Sequence, residues 1–493
     1  MSRSQAKMCV AAAKLEEALK VAKVLMKKVD DDESSSLRTK AMLQMAFDSH
    51  VNRPLVGNAP VRKIIFKPME ESLRVMITIA QQFDSALCSL ILKGSSLARI
   101  RRILSRISIQ TPNILIRSLI VLNLYFNDKI FGKYILGELI VKQMQHLSYI
   151  PDTIFQARCT VAFLNRLGKP IYDLMKVQML NRNRQRTYIE SVMIHDWAAL
   201  QQEASLLDVT YRKELNLEEG TSPHFSLYVM ILTVELMEHF LALGVELGLF
   251  YGHKELSLAF WYRDYLLASQ VTQMSQLRIR RQEIMAHERD QAQLAAKAHK
   301  GKKKGGKHGK KGGNGASVPD LSPTKEDAEF DFDLLMLGMK RHLCKGIVRF
   351  IAASAQAGVL RDKEFQFTTN EKLFEKKFEA FAVIPHPSPL FYDDYLQGSD
   401  FAKVPQDDLL TATTECFMHS KSFLDNLTVQ ATTIDEVYLP IPEIHLRDLT
   451  KVCIGNSIYI QKLRQVIASE EKKDVQVDFD LDTHNQFCIM KLM

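Results

Sequence analysis

The stretch from Ser222 to Leu267, SPHFSLYVMILTVELMEHFLALGVELGLFYGHKELSLAFWYRDYLL, decides the fold. It opens on Ser222, a hydroxyl able to cap a first helical turn, and Pro223, whose missing N–H costs nothing there. From Phe225 to Phe250 most residues are apolar, and the ionisable exceptions are Glu235, Glu238, His239 and Glu246. At 100° per residue these four fall within roughly 60° of one line, a narrow polar seam on an apolar rod. Such a rod must be covered on several sides. Lipid is a poor cover for three carboxylates and a histidine. The stretch therefore reads as the central helix of a large soluble helical body, with the seam expected to pair with Arg or Tyr from a neighbouring helix.

With 493 residues, 46% of them hydrophobic, the chain is long enough for several domains or for one continuous helical array. Its formal charge of +8 suggests a nucleic-acid binder until its distribution is read. Eight lysines lie in KAHKGKKKGGKHGKK, Lys297 to Lys311, with no acid among them. Taking those eight from the 65 basic residues leaves 57, equal to the 57 acidic ones, so the excess is one local tract. Seven scattered cysteines (Cys9, Cys88, Cys159, Cys344, Cys416, Cys453, Cys488) without a CxxC pair suit free thiols in a reducing compartment. The N-terminus lacks the apolar core of a secretory signal, and the run from Ile114 to Ile140 is broken by Arg117, Asn123, Asn127, Asp128 and Lys129. No membrane span is expected.

Ahead of the central rod the pattern is helical. Leu15, Ala18, Leu19, Ala22, Leu25 and Met26 follow helical spacing, and a second short helix starts near Leu37. Asn52 to Lys67, rich in Pro, Gly and Asn, reads as extended chain, and Pro68 starts a new helix. Pro151 and Pro170 mark further starts, with Gly168 as a stop, and one long helix is predicted over Ile171 to Leu217. Short connections imply antiparallel neighbours.

After the rod, helix resumes at Gly252 and becomes polar from Leu277 to Ala298. Ala298 to about Asp327 is predicted to be disordered. Leu334 to Ala357 is one more amphipathic helix, and Phe365 to Phe391, rich in Phe and Pro, is read as extended chain lying in grooves on the body. Asp407 to Leu427 is helical. Val475, Val477, Phe479 and Leu481 alternate with polar residues as a strand does, and Phe487 to Leu492 is its partner across a DTHNQ turn. The predicted fold is thus mainly α, an elongated scaffold of antiparallel packed helices with a small extended and β C-terminal part. Its units are residues 1–50, N-terminal helices; 51–297, the helical core; 298–327, the Lys/Gly-rich loop; and 328–493, C-terminal helices, Pro/Phe-rich segment and terminal strands.

Motifs for chemistry are weak. Gly301, four residues, Gly306 and Lys307 approach a phosphate loop, but His308 stands where Ser or Thr should hold magnesium, and no strand precedes it. Glu235-x-x-Glu238-His239 resembles a fragment of a zinc-hydrolase helix, yet such a helix needs two histidines on one face. His342-x-Cys344 and His484-x-x-x-Cys488 lack four-ligand spacing. Neither a nucleophile elbow nor the Gln/Arg-x-x-Gly-x-Gly/Ala turn that holds acetyl-coenzyme A is present, so no catalytic, cofactor or metal residues are assigned. What remains is a polyanion contact at Lys300, Lys302, Lys303, Lys304, Lys307, Lys310 and Lys311, loose and salt-sensitive, against a plain solubilising linker. For Arg99/Arg102/Arg106 and Arg182/Arg184/Arg186 a solvated or salt-bridged face is the expected role, because no stacking aromatics alternate with them.

Several stretches resemble one family, the large auxiliary subunit (Mak-ten type) of the NatC N-terminal acetyltransferase. They are NRPLVGNAPVRKIIFKPMEESL (Asn52 to Leu73), RSLIVLNLYFNDKIFGKYILGELIVKQM (Arg117 to Met144), NRNRQRTYIESVMIHDWAALQQEASLLD (Asn181 to Asp208), GLFYGHKELSLAFWYRDYLL (Gly248 to Leu267), the lysine-rich loop, FEKKFEAFAVIPHPSPLFY (Phe374 to Tyr392) and the closing VDFDLDTHNQFCIMKL. The resemblance implies a non-catalytic cytoplasmic scaffold that binds a catalytic acetyltransferase subunit and a small Sm-like subunit. The complex would act at ribosomes on chains beginning with Met and a bulky hydrophobic residue, with the lysine loop near ribosomal RNA. Relative to that family the chain is expected to begin inside the family's length, without an N-terminal region bearing a Met-Asp-Pro-Lys-Met-Asp segment. Two other readings stand beside this one: a helical scaffold with a polybasic RNA-binding loop unrelated to acetylation, and, more remotely, a metallohydrolase built on Glu235, Glu238 and His239.

Overall fold

A computed structural model describes residues 157–177, 182–214, 225–250, 252–302, 325–360, 369–433, 443–469 and 475–493, together with Lys20 and Val24. The readings made for residues 1–156, Lys20 and Val24 apart, lie outside the described residues, as do Ser222, Pro223 and Lys303 to Lys311.

Helix α1, Arg158–Val177, runs through both Gly168 and Pro170, where a break was expected. An internal proline costs about 3 kcal/mol through its lost N–H and its clash with the preceding turn. Phe163, Leu164, Leu167, Ile171 and Leu174 form one buried face across that point, and at about 1.5–3 kcal/mol for each burial the face outweighs the break. Helix α2, Arg182–Val192, passes through a π-helical turn, Met193–Trp197, into α3, Ala198–Glu214. The single helix expected over Ile171 to Leu217 is thus α1 followed by this composite.

Helix α4, Phe225–Glu246, is the apolar rod. It is long and apolar enough to cross a membrane, with a mean hydropathy of 1.6, but 78% of that stretch is buried by the rest of the chain. Its first amides are held by α3: Phe225 and Ser226 donate to the two carboxylate oxygens of Asp208 at 2.9 and 2.8 Å. A carboxylate at a helix N-terminus satisfies orphan N–H groups and complements the dipole. Gly248, at φ 70°, closes α4, its left-handed backbone letting Leu249 N donate back to the Gly244 carbonyl.

Helix α5, Gly252–Lys302, spans 51 residues, and α6, Lys325–Gln356, follows. Both intrude into the stretch predicted to be disordered: α5 extends through Lys300 to Lys302, and α6 begins three residues before 328. Alanines and lysine at 295–298 are strong helix formers, which carries α5 onward. Next come α7, Asn370–Phe378, a 3₁₀ turn at Glu379–Phe381, and α8, Tyr392–Gly398. Helices α9, Gln406–Thr433, and α10, Glu443–Ser469, precede the antiparallel strands β1, Val477–Asp480, and β2, Ile489–Leu492. The β-hairpin agrees with the alternation read from sequence. Helix α10 was not read from sequence, although Leu446, Leu449, Val452, Cys453, Ile460 and Leu463 give it a buried stripe.

Each helix packs mainly on its neighbour in the series α3, α4, α5, α6, α9, α10, with α6 against α9 the most extensive interface and β2 laid on α10. Side-chain pairs fix the antiparallel sense. Asp208 and Thr233 relate α3 to α4, Arg278–Asp331 and Arg341–Asp264 relate α5 to α6, and Arg464 reaches Asp407 and Thr411 between α10 and α9. One continuous core results, as expected for a helical array in which no single helix buries its own apolar face.

Candidate functional site

The seam of α4 faces α5 and the C-terminal hairpin. Arg263 on α5, fully buried, donates Nη2 and Nε to Glu238 Oε1 at 2.8 and 3.2 Å, and Nη1 to the Gln486 carbonyl at 2.8 Å. Its guanidinium lies 4.6 Å over the Phe487 ring and 5.5 Å from that of Phe260. A charge taken out of water needs this complete satisfaction. Burial by itself would raise the Glu238 carboxyl, but Lys340 and Arg263 overcome it and hold the group at about 2. The expected pairing of the seam with an arginine from a neighbouring helix is therefore realised at Glu238. Glu246 Oε1 accepts from Asn485 in the same hairpin loop at 3.4 Å, while Glu235 and His239 are half-buried. Glu238 is thus committed to a structural ion pair. Among the described residues no three His, Cys, Asp or Glu side chains converge as a metal site.

A second junction is made by the Pro/Phe-rich segment. Phe374 and Phe378 lie on α7 and Phe381 on the 3₁₀ turn, so this part is helical and not extended as expected. Thr369 caps α7 by accepting from Lys372 N, and Glu371 follows in the first turn, local signals that the run of Phe and Pro hid. The rings bury against the rod and its successor: Tyr262 stacks on Phe378 at 4.6 Å, and Phe381 meets Phe240 edge-on at 5.6 Å. Ala382 and Val383 still turn, and from Ile384 to Phe391 the chain runs on without helix or strand, as a strap over the helices. Gln201 on α3 both donates to the His386 carbonyl at 2.5 Å and accepts from His386 N at 3.1 Å, a two-way amide contact that fixes the register of the strap. Tyr265 donates to the Ser388 carbonyl at 3.2 Å.

The arginine cluster of α2 divides. Arg184 is exposed, as a solvated face requires, whereas Arg186 is 3.6 Å from Glu190, as a salt-bridged face requires, but also packs 4.2 Å over the Phe240 ring, a burial that the expectation did not include. Lys300 and Lys302 fall on the last turn of α5. Described cysteines 344, 416, 453 and 488 are buried free thiols, and burial pushes Cys344, Cys453 and Cys488 up to about 12. Such thiols are neutral and unreactive. The arrangement holds helices, strap and hairpin in one register, as a scaffold requires.

Comparison with known proteins gives a consistent result. A family model described as NAA35-like, TPR repeats, matches residues 86–490. The human protein named N-alpha-acetyltransferase 35, NatC auxiliary subunit, is 22% identical over 405 residues, covering 78% of this chain and 50% of that protein. The Drosophila melanogaster homolog is 23% identical over 332 residues, covering 65% and 39%. The chain spans about half the length of the curated relatives it matches. Among solved structures, a chain of the apo NatC complex superposes with a TM-score of 0.60 at 15% identity, covering 89% of this chain and 61% of that one. A chain of the NatC complex bound to Gag peptide and CoA gives 0.59 at 16% identity, covering 88% and 61%.

Proposed function

Since the chain belongs to the NAA35-like family of TPR-repeat proteins, we propose that it is a non-catalytic auxiliary subunit holding the catalytic subunit of a NatC N-terminal acetyltransferase complex. The observation that carries this reading is the span of the family match, which takes in every described helix from α1 to α10 and reaches into β2. The fold likeness to chains of NatC structures supports it. A continuous helical array is suited to the role, because neighbouring interfaces add up to an extended surface that a globular partner can follow.

In detail, a small Sm-like subunit completes the complex, which works in the cytoplasm on nascent chains beginning with Met followed by a bulky hydrophobic residue. Lys300, Lys302, Lys303, Lys304, Lys307, Lys310 and Lys311 supply a loose, salt-sensitive contact with ribosomal RNA. The test is affinity capture of this chain from cytosol with mass spectrometry. Recovery of an acetyltransferase-fold subunit with an Sm-like partner is expected. Acetyl-coenzyme A turnover by the purified chain alone, or capture of ribosomal proteins without any acetyltransferase subunit, would overturn the reading.

A further inference from the structure

Alternation along β1 puts Val477 and Phe479 on one face of the C-terminal hairpin and Asp478 and Asp480 on the other. The strands are locked in one register, Val477 opposite Leu492 and Phe479 opposite Met490, and Gln476 exchanges both backbone hydrogen bonds with Met493 at 3.0 and 2.9 Å. Hydrogen-bonded pairs alternate with non-bonded pairs along an antiparallel ladder. Gln476, Asp478 and Asp480 therefore turn their N–H and C=O groups toward β2, while Val477 and Phe479 turn theirs outward. On β2 the same alternation aims the backbone of Cys488 and Met490 away from β1.

The two outer edges are treated differently. Along β2, the fully buried Asn456 of α10 takes the place of a further strand: its amide donates to the Cys488 carbonyl at 3.0 Å and accepts from Met490 N at 2.9 Å. Along β1, among the described residues, nothing answers the outward N–H and C=O groups of Val477 and Phe479. Open edges are commonly blunted by proline, lysine or a bulge. The strand VDFD carries none of these, and its register is unbroken. Val477 and Phe479 are half-buried against the core, and Arg263 grips the hairpin loop at the Gln486 carbonyl. The edge is thus held extended before anything binds to it, which lowers the ordering cost of docking.

We infer that the outer edge of β1 accepts an extended segment of a partner protein, one in which apolar side chains alternate with Lys or Arg. Running antiparallel, that segment exchanges backbone hydrogen bonds with Val477 and Phe479 and lays its apolar side chains beside theirs. Its residue opposite Asp478 occupies a non-hydrogen-bonded position, where side chains approach most closely and an opposite charge is favoured. Asp478 is exposed and, among the described residues, makes no ion pair, whereas Asp480 is engaged by Lys491 at 2.7 Å. Charge and pattern select against other occupants. A second copy, in the register that uses both outward residues, sets Asp478 against Asp478. The lysine tract KKKGGKHGKKGG supplies charge but has glycine where a strand needs apolar residues. This edge goes beyond the auxiliary role proposed above, and its test needs no acetyltransferase.

The test uses the full chain and a labelled, end-capped peptide, Thr-Val-Lys-Val-Lys-Val-Thr, read by fluorescence anisotropy. Saturable one-to-one binding is expected, with slower hydrogen exchange at the Val477 and Phe479 amides. Backbone N-methylation of the valines blocks the bonds to β1 and should abolish binding, whereas N-methylation of the lysines, whose N–H groups point away, should leave it. Asp478→Asn should weaken binding roughly two- to fivefold, and a peptide with Glu in place of Lys should not bind. Val477→Pro removes an outward N–H without touching the bonds to β2 and should weaken binding about tenfold or more. Continued exchange protection of the Asp478 amide checks that the hairpin is intact in both variants. Absence of saturable binding, equal binding of the two methylated peptides, or indifference to both substitutions would overturn the inference. So would dimerisation of the chain in sedimentation that Val477→Pro abolishes, since it assigns the edge to a second copy.

Discussion

Replacing Glu238 by leucine tests the junction on which α4, α5 and the C-terminal hairpin depend. Arg263 is fully buried and two of its three nitrogens point at Glu238 Oε1, so the substitution leaves a guanidinium in the core with the Gln486 carbonyl as its remaining acceptor. Breaking a buried pair from one side costs about 3–5 kcal/mol, because the remaining charge is uncompensated. The Phe487 and Phe260 rings recover at most about 2 kcal/mol of that. The double substitution Glu238→Leu with Arg263→Met removes both charges and leaves the Gln486 carbonyl orphaned at about 1–3 kcal/mol. The single variant should therefore be the less stable by roughly 1–3 kcal/mol. Thermal unfolding of the full chain gives the order of stabilities, and hydrogen exchange over residues 475–493 gives the local effect, faster exchange in the single variant. A single variant as stable as the wild type, with hairpin exchange unchanged, would refute the reasoning.

The same pair sets an acid limb. The Glu238 carboxyl is depressed in the folded chain, so its contribution is present above the usual carboxylate range and is lost as pH falls from about 4.5 toward about 2; the double variant should show a shallower decline there in thermal scans. His342 titrates at about 4 when folded against about 6.5 unfolded, so stability should fall as pH drops through that interval, and His342→Phe should flatten this part of the profile. Two glycines in helices should respond oppositely to alanine. At Gly168 a Cβ meets nothing within 4 Å, and Gly168→Ala should raise stability by about 0.5–1 kcal/mol, read as a higher melting temperature. At Gly346 the Cβ would stand 2.9 Å from the Phe417 ring in the interface of α6 with α9, and Gly346→Ala should cost about 1–3 kcal/mol despite the gain in helix propensity. Gln201→Ala removes both hydrogen bonds to His386, and limited proteolysis should then cut the strap between Ala382 and Phe391 sooner than in the wild type.

The sequence by itself determined the class of fold, the central rod, the partner type for its polar seam and the terminal hairpin, since each is written in local period. An apolar run interrupted on one line must be a covered helix, and strict alternation must be a strand. Tertiary structure decided what local signals contradict or leave open. Pro170 and Gly168 read as a break, yet the buried face of Phe163, Leu167 and Ile171 holds α1 together across them. Phe374 and Phe378 read as extended chain, yet α7 forms because both rings bury against Tyr262, and Phe378 also against Phe250. Which arginine answers Glu238, that the cap of α4 includes Asp208 from 17 residues earlier, and that Arg349 crosses to α9 are facts of packing at long range. Periodicity names the face a residue occupies; only the assembled core says what stands opposite it, because that depends on elements far apart in the chain.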